Sequence, residues 1–387
     1  MMADTPKIRF KGYANAWEQR KLGDVAEFSK GNGYSKSDLV SLGAPIILYG
    51  RLYTKYETLI REIDTFVEPK EGSVYSKGGE VIIPASGETA EDIARAATVE
   101  NAGVLLGGDL NVVTPDEDIN STFLSLSISH GEPQRELVKK AQGKSVVHIH
   151  NAEIKELNIY FPNEEEQEKI VSYFDTLDNL ITLYQRKCEE TKKLKKYMLQ
   201  KMFPQNDKKI PEIRFAGFTE EWEQRKLGEV INVCSGMDYK GLGEGGIPVY
   251  GTGGYMLSVD RALSYDKDAI GIGRKGTIDK PYILKAPFWT VDTLFYCIPK
   301  DNINIDFMYS IFQNIDWKQK DESTGVPSLS KVIINSTKIM RPSLEEQIKI
   351  GEYFYAIDNL ITLNQYKCDE LKEVKKFMLQ NMFPQKG

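Results

Sequence analysis

Two long stretches of this sequence occur twice, and this duplication limits what the chain can fold into. Residues 161–205 align with residues 341–385 without a gap, and 28 of the 45 positions are identical. Residues 6–31 align with residues 211–236 and share 14 of 26 positions. We refer to the first pair as the downstream block and to the second pair as the upstream block. A chain that repeats itself in this way is expected to form two similar halves.

The inserts between the blocks differ in the two halves. The offset between copies is 205 residues for the upstream block and 180 for the downstream block, so the first insert is 25 residues longer. The inserts align convincingly only near their ends. A period this long that occurs only twice excludes a solenoid. We therefore predict a pseudo-two-fold architecture, in which the repeated upstream and downstream blocks form two similar frames and each frame encloses a different insert.

The downstream block predicts one long helix in each half. Apolar residues recur at alternating steps of three and four, which is the spacing of a coiled-coil seam. Asn163 and Ser343 are candidate N-caps ahead of glutamates, and Pro204 and Pro384 end the pattern. Each helix should contain about 39 residues and measure ~58 Å. The predicted seam residues are Phe174, Leu177, Ile181, Tyr184 and Cys188 in the first helix, and Phe354, Ile357, Ile361, Asn364, Cys368 and Leu371 in the second.

A helix with an apolar stripe needs a partner, and the nearest candidate is its own copy. Because the chain crosses a whole domain between the two helices, we expect an antiparallel pair with a globular domain at each end. Asn364 would then be a polar residue that fixes the register of the seam. The alternative is two separate helices, each packed on its own domain.

Both inserts predict β-rich domains of the α+β class, each with a twisted antiparallel sheet. Short β-like runs with Gly, Pro and Asp between them include LNVVTP in the first insert and AIGIG and TLFYCIP in the second. A short helical segment follows in each, TFLSLSISH and IDFMYSIFQNI. The fold class is therefore two globular β-rich domains joined by two long helices that form an antiparallel coiled coil. The predicted division is a first domain at 1–160 with its upstream block at 6–31, a first helix at 161–205, a second domain at 206–340 with its upstream block at 211–236, and a second helix at 341–387.

The composition is that of a soluble protein, and we expect it in the cytoplasm. The sequence has no run of eighteen apolar residues and no apolar N-terminal signal segment. Its four cysteines form no CxxC pair, which fits a reducing compartment. The net charge of −6 argues weakly against a simple polyanion binder. However, residues 185–209 carry nine Lys or Arg against three acids, and such a run is either a solvated helix face or a phosphate-facing surface.

Motifs that would carry catalysis or bind a cofactor are missing from the sequence. GIGRKG at 271–276 fits G-x-G-x-x-G, but a β-like segment follows it instead of a helix, so a dinucleotide site is rejected. A tight loop that presents Arg274 and Lys275 is the better interpretation. His148 and His150 have no third ligand nearby in the sequence that would complete a metal site. Because no methyltransferase loop or nuclease cluster is visible either, we predict no catalytic, cofactor-binding or metal-binding residue.

Four motifs accompany the duplication. They are W-E-Q-R-K-L-G at 17–23 and 222–228, G-K-S at 143–145, S-L-S-K at 328–331, and P-x-x-E-E-Q-x-K-I at 162–170 and 342–350. Together these features resemble one family, the DNA specificity (S) subunits of type I restriction-modification systems. The duplication with dissimilar inserts is more specific than any single motif, and the resemblance covers nearly the whole chain. The sequence departs from the family pattern in that its two inserts are unequal in length and the first is notably acidic.

The resemblance implies that each insert is a target recognition domain that reads one half of a bipartite sequence in double-stranded DNA. The helices would set the spacer and dock two methyltransferase (modification) subunits, and motor-nuclease (restriction) subunits would join this core. The chain itself would be non-catalytic, with S-adenosylmethionine, and ATP and Mg²⁺ for restriction, bound by partner subunits. No membrane partner is expected. The rival interpretations are a self-contained DNA-modifying enzyme and a coiled-coil assembly protein without a DNA role.

Candidate DNA contacts were chosen as residue types that read base edges or phosphates and that occupy predicted loops. In the first domain they are Tyr49, Arg51, Tyr53, Lys55, Ser86, Thr89, Lys144, Ser145 and His148. In the second domain they are Tyr250, Thr252, Tyr255, Arg274, Lys275, Thr277, Ser328 and Lys331.

Overall fold

The computed structural model describes residues 5–141, 143, 146–205 and 208–385 of the chain. It divides into two compact units, each of which combines a β-rich domain with part of both long helices. Unit 1 consists of Met1–Thr182 and Cys368–Gly387, and unit 2 consists of Leu183–Lys367. The boundary between the units falls within both long helices, whereas the division predicted from the sequence keeps each helix whole. We retain the predicted division as a proposal for the bounds of the recognition domains.

The β-rich domain of unit 1 is built on two main sheets. Their strand orders are β2-β11-β7-β9-β5 and β10-β4-β6-β3, and the pairs β1-β13 and β12-β8 complete the domain. The strands are β1 (Glu18–Lys21), β2 (Ala26–Lys30), β3 (Leu39–Val40), β4 (Ala44–Ile47), β5 (Leu59–Ile60), β6 (Phe66–Val67), β7 (Glu80–Pro84), β8 (Ser86–Gly87), β9 (Ala97–Val99), β10 (Leu105–Leu106), β11 (Leu110–Pro115), β12 (Val147–His148) and β13 (Asn158–Phe161). The helices are α1 (Arg51–Thr54), α2 (Ala90–Ile93), α3 (Ser121–Ser129), α4 (Gly131–Lys140), α5 (Asn151–Lys155) and the long α6 (Glu164–Lys201).

The β-rich domain of unit 2 is smaller but is built in the same way. Its sheets have the orders β15-β21-β18-β19 and β17-β16-β20, and β14 pairs with β22. The strands are β14 (Glu223–Lys226), β15 (Ile231–Ser235), β16 (Glu244–Gly251), β17 (Gly254–Val259), β18 (Ala269–Gly273), β19 (Tyr282–Leu284), β20 (Trp289–Thr290), β21 (Leu294–Pro299) and β22 (Lys338–Arg341). The helices are α7 (Leu227–Val230), α8 (Ile305–Asn314), α9 (Lys331–Ser336) and the long α10 (Leu344–Asn381).

The sheets differ from the prediction of one antiparallel sheet in each insert. Each unit has two main sheets, and both units contain parallel pairs, which are β4 with β10 and β5 with β9 in unit 1 and β16 with β20 in unit 2. A long connection between the two strands of each pair returns the chain to the same end of the sheet, which parallel pairing requires. Such pairs cannot be recognised from the short β-like runs alone.

The two inserts nevertheless share one topology. In unit 1, β11 lies between β2 and β7, and in unit 2, β21 lies between β15 and β18, with antiparallel pairing at each contact. A helix follows each central strand and is capped by an asparagine, Asn120 before α3 and Asn304 before α8. The frameworks therefore correspond although the insert sequences do not align.

The long helices begin as the sequence predicts. The side-chain oxygen of Asn163 accepts a hydrogen bond from the backbone N–H of Glu166 (3.1 Å), and the hydroxyl of Ser343 accepts one from Glu346 (3.4 Å). Both helices contain 38 residues, one fewer than expected. No helix among the described residues combines the length and the apolar character needed to cross a membrane.

In unit 1, the beginning of α6 packs against the end of α10. The rings of Phe174 and Phe383 stack with their centres 6.3 Å apart. The ammonium group of Lys375 lies 2.5 Å from a carboxylate oxygen of Asp178. The two helices are therefore antiparallel here.

Unit 2 contains the reciprocal contact between the end of α6 and the beginning of α10. Phe203 packs on Phe354 with a distance of 5.9 Å between ring centres, and Lys195 forms an ion pair with Asp358. Both ion pairs join equivalent positions of the downstream block. The predicted antiparallel pair is confirmed, and the alternative of two separate helices is wrong.

The predicted seam residues are removed from solvent to different extents. The thiol of Cys188 donates a weak hydrogen bond to the carbonyl of Ile361 (3.9 Å) within unit 2. Asn364 is only 5% exposed, and its role in fixing the register stays a prediction. The buried seam residues are Phe174, Leu177, Ile181, Cys188, Phe354, Ile357, Asn364 and Cys368, and the half-buried ones are Tyr184, Ile361 and Leu371.

In the core of each unit, residues of the upstream block pack on residues of the downstream block, which explains why the two blocks are repeated together. The tryptophan of one upstream block meets the phenylalanine near the end of a downstream block. Trp17 packs edge-on against Phe383 at 6.3 Å in unit 1, and Trp222 packs against Phe203 at 5.9 Å in unit 2. The C-terminal residues of the chain thus complete the core of the N-terminal domain.

A buried ion pair joins the same two blocks in each unit. The guanidinium of Arg9 binds both carboxylate oxygens of Glu166 (2.6 and 2.7 Å), and Arg214 binds Glu346 in the same way (2.7 and 2.8 Å). Both glutamate side chains are 1% exposed. The hydrogen bonds that each guanidinium donates to its carboxylate raise the pKa of the arginine. The repeated I-R-F and E-E-Q sequences therefore supply the arginine and the glutamate of one buried ion pair in each unit.

The glycine that ends each upstream block lies where no side chain fits. A Cβ on Gly31 would lie 2.0 Å from the carbonyl oxygen of Gly107, and one on Gly236 would lie 2.0 Å from that of Val291. We expect Gly236→Ala to lower the free energy of unfolding by about 1–3 kcal/mol, because the backbone must shift. Denaturant titration should show this loss, whereas Gly246→Ala, with no atom within 4 Å of the added Cβ, is the matched control. Equal stability of the two variants would contradict the steric explanation.

Candidate nucleic-acid interface

Two loops that are distant in sequence are joined next to the end of β18 in unit 2. The backbone N–H of Arg274 donates to the carbonyl of Thr293 (2.8 Å), and the carbonyl of Arg274 accepts from the N–H of Leu329 (3.0 Å). Lys275 forms an antiparallel bridge with Ser328. The rejected dinucleotide motif is thus a tight turn between strands, as the sequence analysis expected, and the backbone of Arg274 is held on both sides.

Three cationic side chains cluster at this turn. The charged groups of Arg274 and Lys331 each lie 6.0 Å from the centre of the buried Phe295 ring, at the outer limit of a cation–π contact. Arg274 and Lys275 are exposed and Lys331 is half-buried. Within the described part of the chain, none of the three pairs with a carboxylate. We refer to Arg274, Lys275 and Lys331 as the basic cluster, and its charges are available to an anion.

An acidic side chain stabilises the loop beside the basic cluster. A carboxylate oxygen of Asp321 accepts backbone hydrogen bonds from Ser328 (2.8 Å) and Ser323 (3.0 Å). The bond from Ser328 is the main reason that the pKa of Asp321 is lowered. Thr277 follows the turn and is half-buried. The structure therefore brings Arg274, Lys275, Ser328 and Lys331 together.

The other three candidates of the second domain lie on the hairpin formed by β16 and β17. Tyr250 and Tyr255 are opposite each other across the strands, with ring centres 6.4 Å apart, and Tyr255 is 63% exposed. The hydroxyl of Tyr282 donates to the carbonyl of Gly251 (2.6 Å), and burial raises the pKa of Tyr282. Thr252 is half-buried at the turn. The hairpin presents an aromatic edge to solvent.

Residues 291–293 connect the hairpin to the basic cluster. The N–H of Val291 donates to the carbonyl of Tyr250 (3.0 Å), and two residues later Thr293 accepts from Arg274. The hairpin and the basic cluster are therefore supported by one short segment that leads into β21. This connection involves only backbone atoms, so no side-chain pattern in the sequence indicates it.

Unit 1 has the same backbone arrangement with different side chains. Ser86 pairs with His148 across β8 and β12, and the N–H of Ile149 donates to the carbonyl of Ala85 (3.0 Å). His148 is exposed and Ser86 is buried. The equivalent positions in units 1 and 2 are Ala85 and Arg274, Ser86 and Lys275, His148 and Ser328, and Asn151 and Lys331. Unit 1 therefore lacks the arginine and both lysines of the basic cluster at these positions.

Arg51 has a different environment from the solvated loop that the sequence suggests. It is 8% exposed, and its guanidinium donates to Asp64 (2.6 Å), Glu57 (2.6 Å) and the carbonyl of Glu62 (2.8 Å). Lys55 is exposed but also pairs with Asp64 (2.9 Å). These contacts stabilise the short helix α1. Contact of Arg51 with DNA stays a prediction, but this structure uses its charge internally.

The remaining described candidates of the first domain surround α1 and α2. Tyr49 and Tyr53 are in edge-on contact at 5.9 Å, and the hydroxyl of Tyr53 donates to the carbonyl of Ser86. Burial raises the pKa of Tyr53, so the hydroxyl remains a donor. The hydroxyl of Thr89 accepts from the N–H of Asp92 (3.1 Å) and caps α2. Lys144 and Ser145 lie outside the described residues.

Next to α1 is a cavity of about 770 Å³, large enough for a small ligand or part of a base. Tyr49, Lys55, and two residues that the sequence analysis missed, Tyr34 and Lys36, line it. Tyr34 has a backbone φ of 59°, and its hydroxyl accepts from the N–H of Lys70 (2.7 Å). The glycines before Tyr34 in GNGY were the available signal for a special turn. The first domain therefore has a concave surface beside α1 that is lined by tyrosine and lysine side chains.

The fold defines a class of protein, a duplicated scaffold that carries two β-rich domains with different side chains at equivalent positions. The chain matches the family described as type I restriction modification DNA specificity domain twice, over residues 15–193 and 219–373. It therefore belongs to the family of type I restriction-modification DNA specificity proteins, as the resemblance in its sequence predicted.

Similar proteins support this assignment along the whole chain. Two relatives come from Methanocaldococcus jannaschii. The type I restriction enzyme MjaVIII specificity subunit is 22% identical over 403 aligned residues, covering 93% of this chain and 90% of the relative. The putative type I restriction enzyme MjaX specificity subunit is 24% identical over 401, covering 93% and 91%. The crystal structure of a type I restriction-modification system S subunit from M. genitalium has a TM-score of 0.71 at 17% identity, covering 99% of this chain and all of that one (100%), which shows the shared fold.

Proposed function

We propose that each β-rich domain of this specificity subunit reads one half of a bipartite sequence in double-stranded DNA. The supporting observation is that two domains of one topology carry different side chains at equivalent positions, most clearly Ala85 and Arg274. Because each base pair presents its own set of donors and acceptors in the major groove, different side chains on one framework select different bases. The repeated upstream and downstream blocks, which both units share, join the two DNA-binding surfaces in one molecule.

In the second domain, the basic cluster contacts the DNA, together with Ser328, Thr277 and the hairpin tyrosines Tyr250 and Tyr255. Unpaired cations contribute affinity through phosphates and specificity through base edges. In the first domain, the concave surface and exposed His148 contact the DNA, and the sequence-predicted residues that line the concave surface are Tyr49, Arg51 and Lys55. The acidic first domain then relies less on charge than the second.

The long helices have a second role as the docking surface for two methyltransferase subunits. Exposed apolar side chains along them support this role. Three equivalent positions of the downstream block are at least 39% exposed in both helices: Leu183, Leu194 and Tyr197 in α6, and Leu363, Val374 and Phe377 in α10. Apolar side chains concentrated on one helical surface mark interaction sites in soluble proteins. Two copies of the frame offer one surface to each of two partners.

The chain is non-catalytic in this proposal. S-adenosylmethionine binds to the methyltransferase partners, and ATP and Mg²⁺ bind to the motor-nuclease partners where restriction occurs. The helices also set the length of the unread spacer between the half-sites.

The methylome of a host that carries this chain with its partner genes tests the proposal. We expect one motif made of two fixed half-sites and an unspecified gap of constant length. Deletion of this chain should abolish the methylation, and the isolated chain should transfer no methyl group from S-adenosylmethionine to DNA. A continuous motif, or methyl transfer by the isolated chain, would contradict the assignment.

A further inference from the structure

We infer that the basic cluster of unit 2 reads a guanine in the major groove, with Arg274 as the residue that contacts the base. This inference rests on the proposed function, in that the second domain must bind duplex DNA. It goes further by naming the base and the residue. It also distinguishes the second half-site chemically from the first.

The backbone of Arg274 is fixed while its guanidinium is free. Strong backbone hydrogen bonds to Thr293 and from Leu329 hold the residue on both sides, and its side chain lies over the buried ring of Phe295. The one polar contact of the guanidinium among the described residues joins Nη1 to the carbonyl of Asp292 at 3.4 Å, which is long for a hydrogen bond. The remaining N–H donors are therefore available.

A free guanidinium on a fixed backbone suits guanine better than any other base. Guanine presents two acceptors, O6 and N7, side by side in the major groove, and the parallel N–H groups of arginine bind both. Adenine and cytosine place an amino donor at the corresponding edge, and thymine offers a single acceptor beside a methyl group. Lys275, which follows Arg274 in the chain, and Lys331, which shares the Phe295 ring with it, provide charges for the flanking phosphates.

The equivalent position in unit 1 cannot act in this way. Ala85 has the same backbone contact as Arg274, but it is 8% exposed and has no donor. Nearby, the hydroxyl of Ser86 donates to a carboxylate oxygen of Asp109 (3.4 Å), so an acidic side chain lies beside this position in unit 1. Guanine reading at this position of the fold therefore belongs to the second domain alone.

The test uses the complete complex with its methyltransferase partner and a duplex that carries the motif defined by the wild-type methylome. We expect Arg274→Ala to relax the requirement at one G·C pair in one half-site. Replacement of that guanine by 7-deazaguanine, which lacks the N7 acceptor, should weaken binding of the wild-type complex by about 5- to 150-fold. The same replacement should leave binding of the Arg274→Ala complex almost unchanged.

Two further variants separate base reading from charge. Arg274→Lys keeps the positive charge but loses the two parallel donors, so it should relax the motif while preserving the salt dependence of binding. Lys338→Ala removes an exposed lysine of β22 in the same unit and should leave the motif unchanged. Relaxation at an A·T pair, or weaker binding to every sequence with an unchanged motif, would overturn the inference. A wild-type methylome without a bipartite motif would instead refute the proposed function on which it rests.

Discussion

Replacement of Arg9 or Arg214 by methionine should lower the free energy of unfolding of the unit that contains it by about 3–5 kcal/mol. Each arginine is the bidentate partner of a glutamate that is 1% exposed, Glu166 or Glu346. Removal of the cation leaves a buried carboxylate without compensation, and this costs more than the intact pair contributes.

The measurement must distinguish the two units, because a chain with two compact parts need not unfold in one step. Hydrogen exchange followed by peptide should show faster exchange in unit 1 for Arg9→Met and in unit 2 for Arg214→Met. The double variant Arg9→Met with Glu166→Leu removes both charges and should recover most of the loss. Arg20→Met, which breaks an exposed pair with Glu18, is the control and should change stability by less than ~1 kcal/mol. A double variant as unstable as the single one would show that the charge pair is not the cause.

Insertion of seven residues into both long helices, after Thr182 and after Thr362, should lengthen the gap between the half-sites by about three base pairs. Seven residues add ~10 Å of helix, and successive base pairs are ~3.4 Å apart. A complete heptad keeps the seam in phase, so the apolar stripes still face each other. The methylome should then show the original half-sites at the new separation.

The same insertion in α6 alone is the matched control. It shifts one helix along the other and separates Lys195 from Asp358. We therefore expect loss of methylation, with no new motif. If the complex that contains the chain with both insertions still methylated the original motif, the helices would not set the gap between the half-sites. The half-site assignments would still stand.

Local patterns in the sequence were sufficient to predict the two long helices. Heptad spacing, N-caps and prolines act within one element, so the starts and approximate lengths of α6 and α10 were predicted, although the predicted segments 161–205 and 341–387 extend several residues beyond the helix ends. The pairing of the helices followed from the duplication. The strands at residues 110–115, 269–273 and 294–299 were recognised for the same reason, because each is a short apolar run ended by turn residues. The sequence analysis treated Glu166 only as one of the glutamates that follow the N-cap Asn163, although its buried partner Arg9 lies 157 positions away.

Long-range contacts account for what the sequence could not show. Arg274 and Lys331 meet over Phe295 because a bridge joins Lys275 to Ser328, and no pattern within either segment indicates this bridge. Arg51 was chosen as a cation on a loop, but it lies between carboxylates from the following residues. The correspondence of the inserts became visible only through strand order, since backbone pairing is retained where side chains differ.

The aromatic contact between Trp17 and Phe383 has a consequence for how the protein is made. These residues are 366 positions apart, whereas Phe203 and Trp222 are separated by only 19. On the ribosome, the second half of the polypeptide can therefore close its interior before the first half can. A released chain that ended just before Phe383 would retain the residues of the unit 2 core but would lack this contact in unit 1.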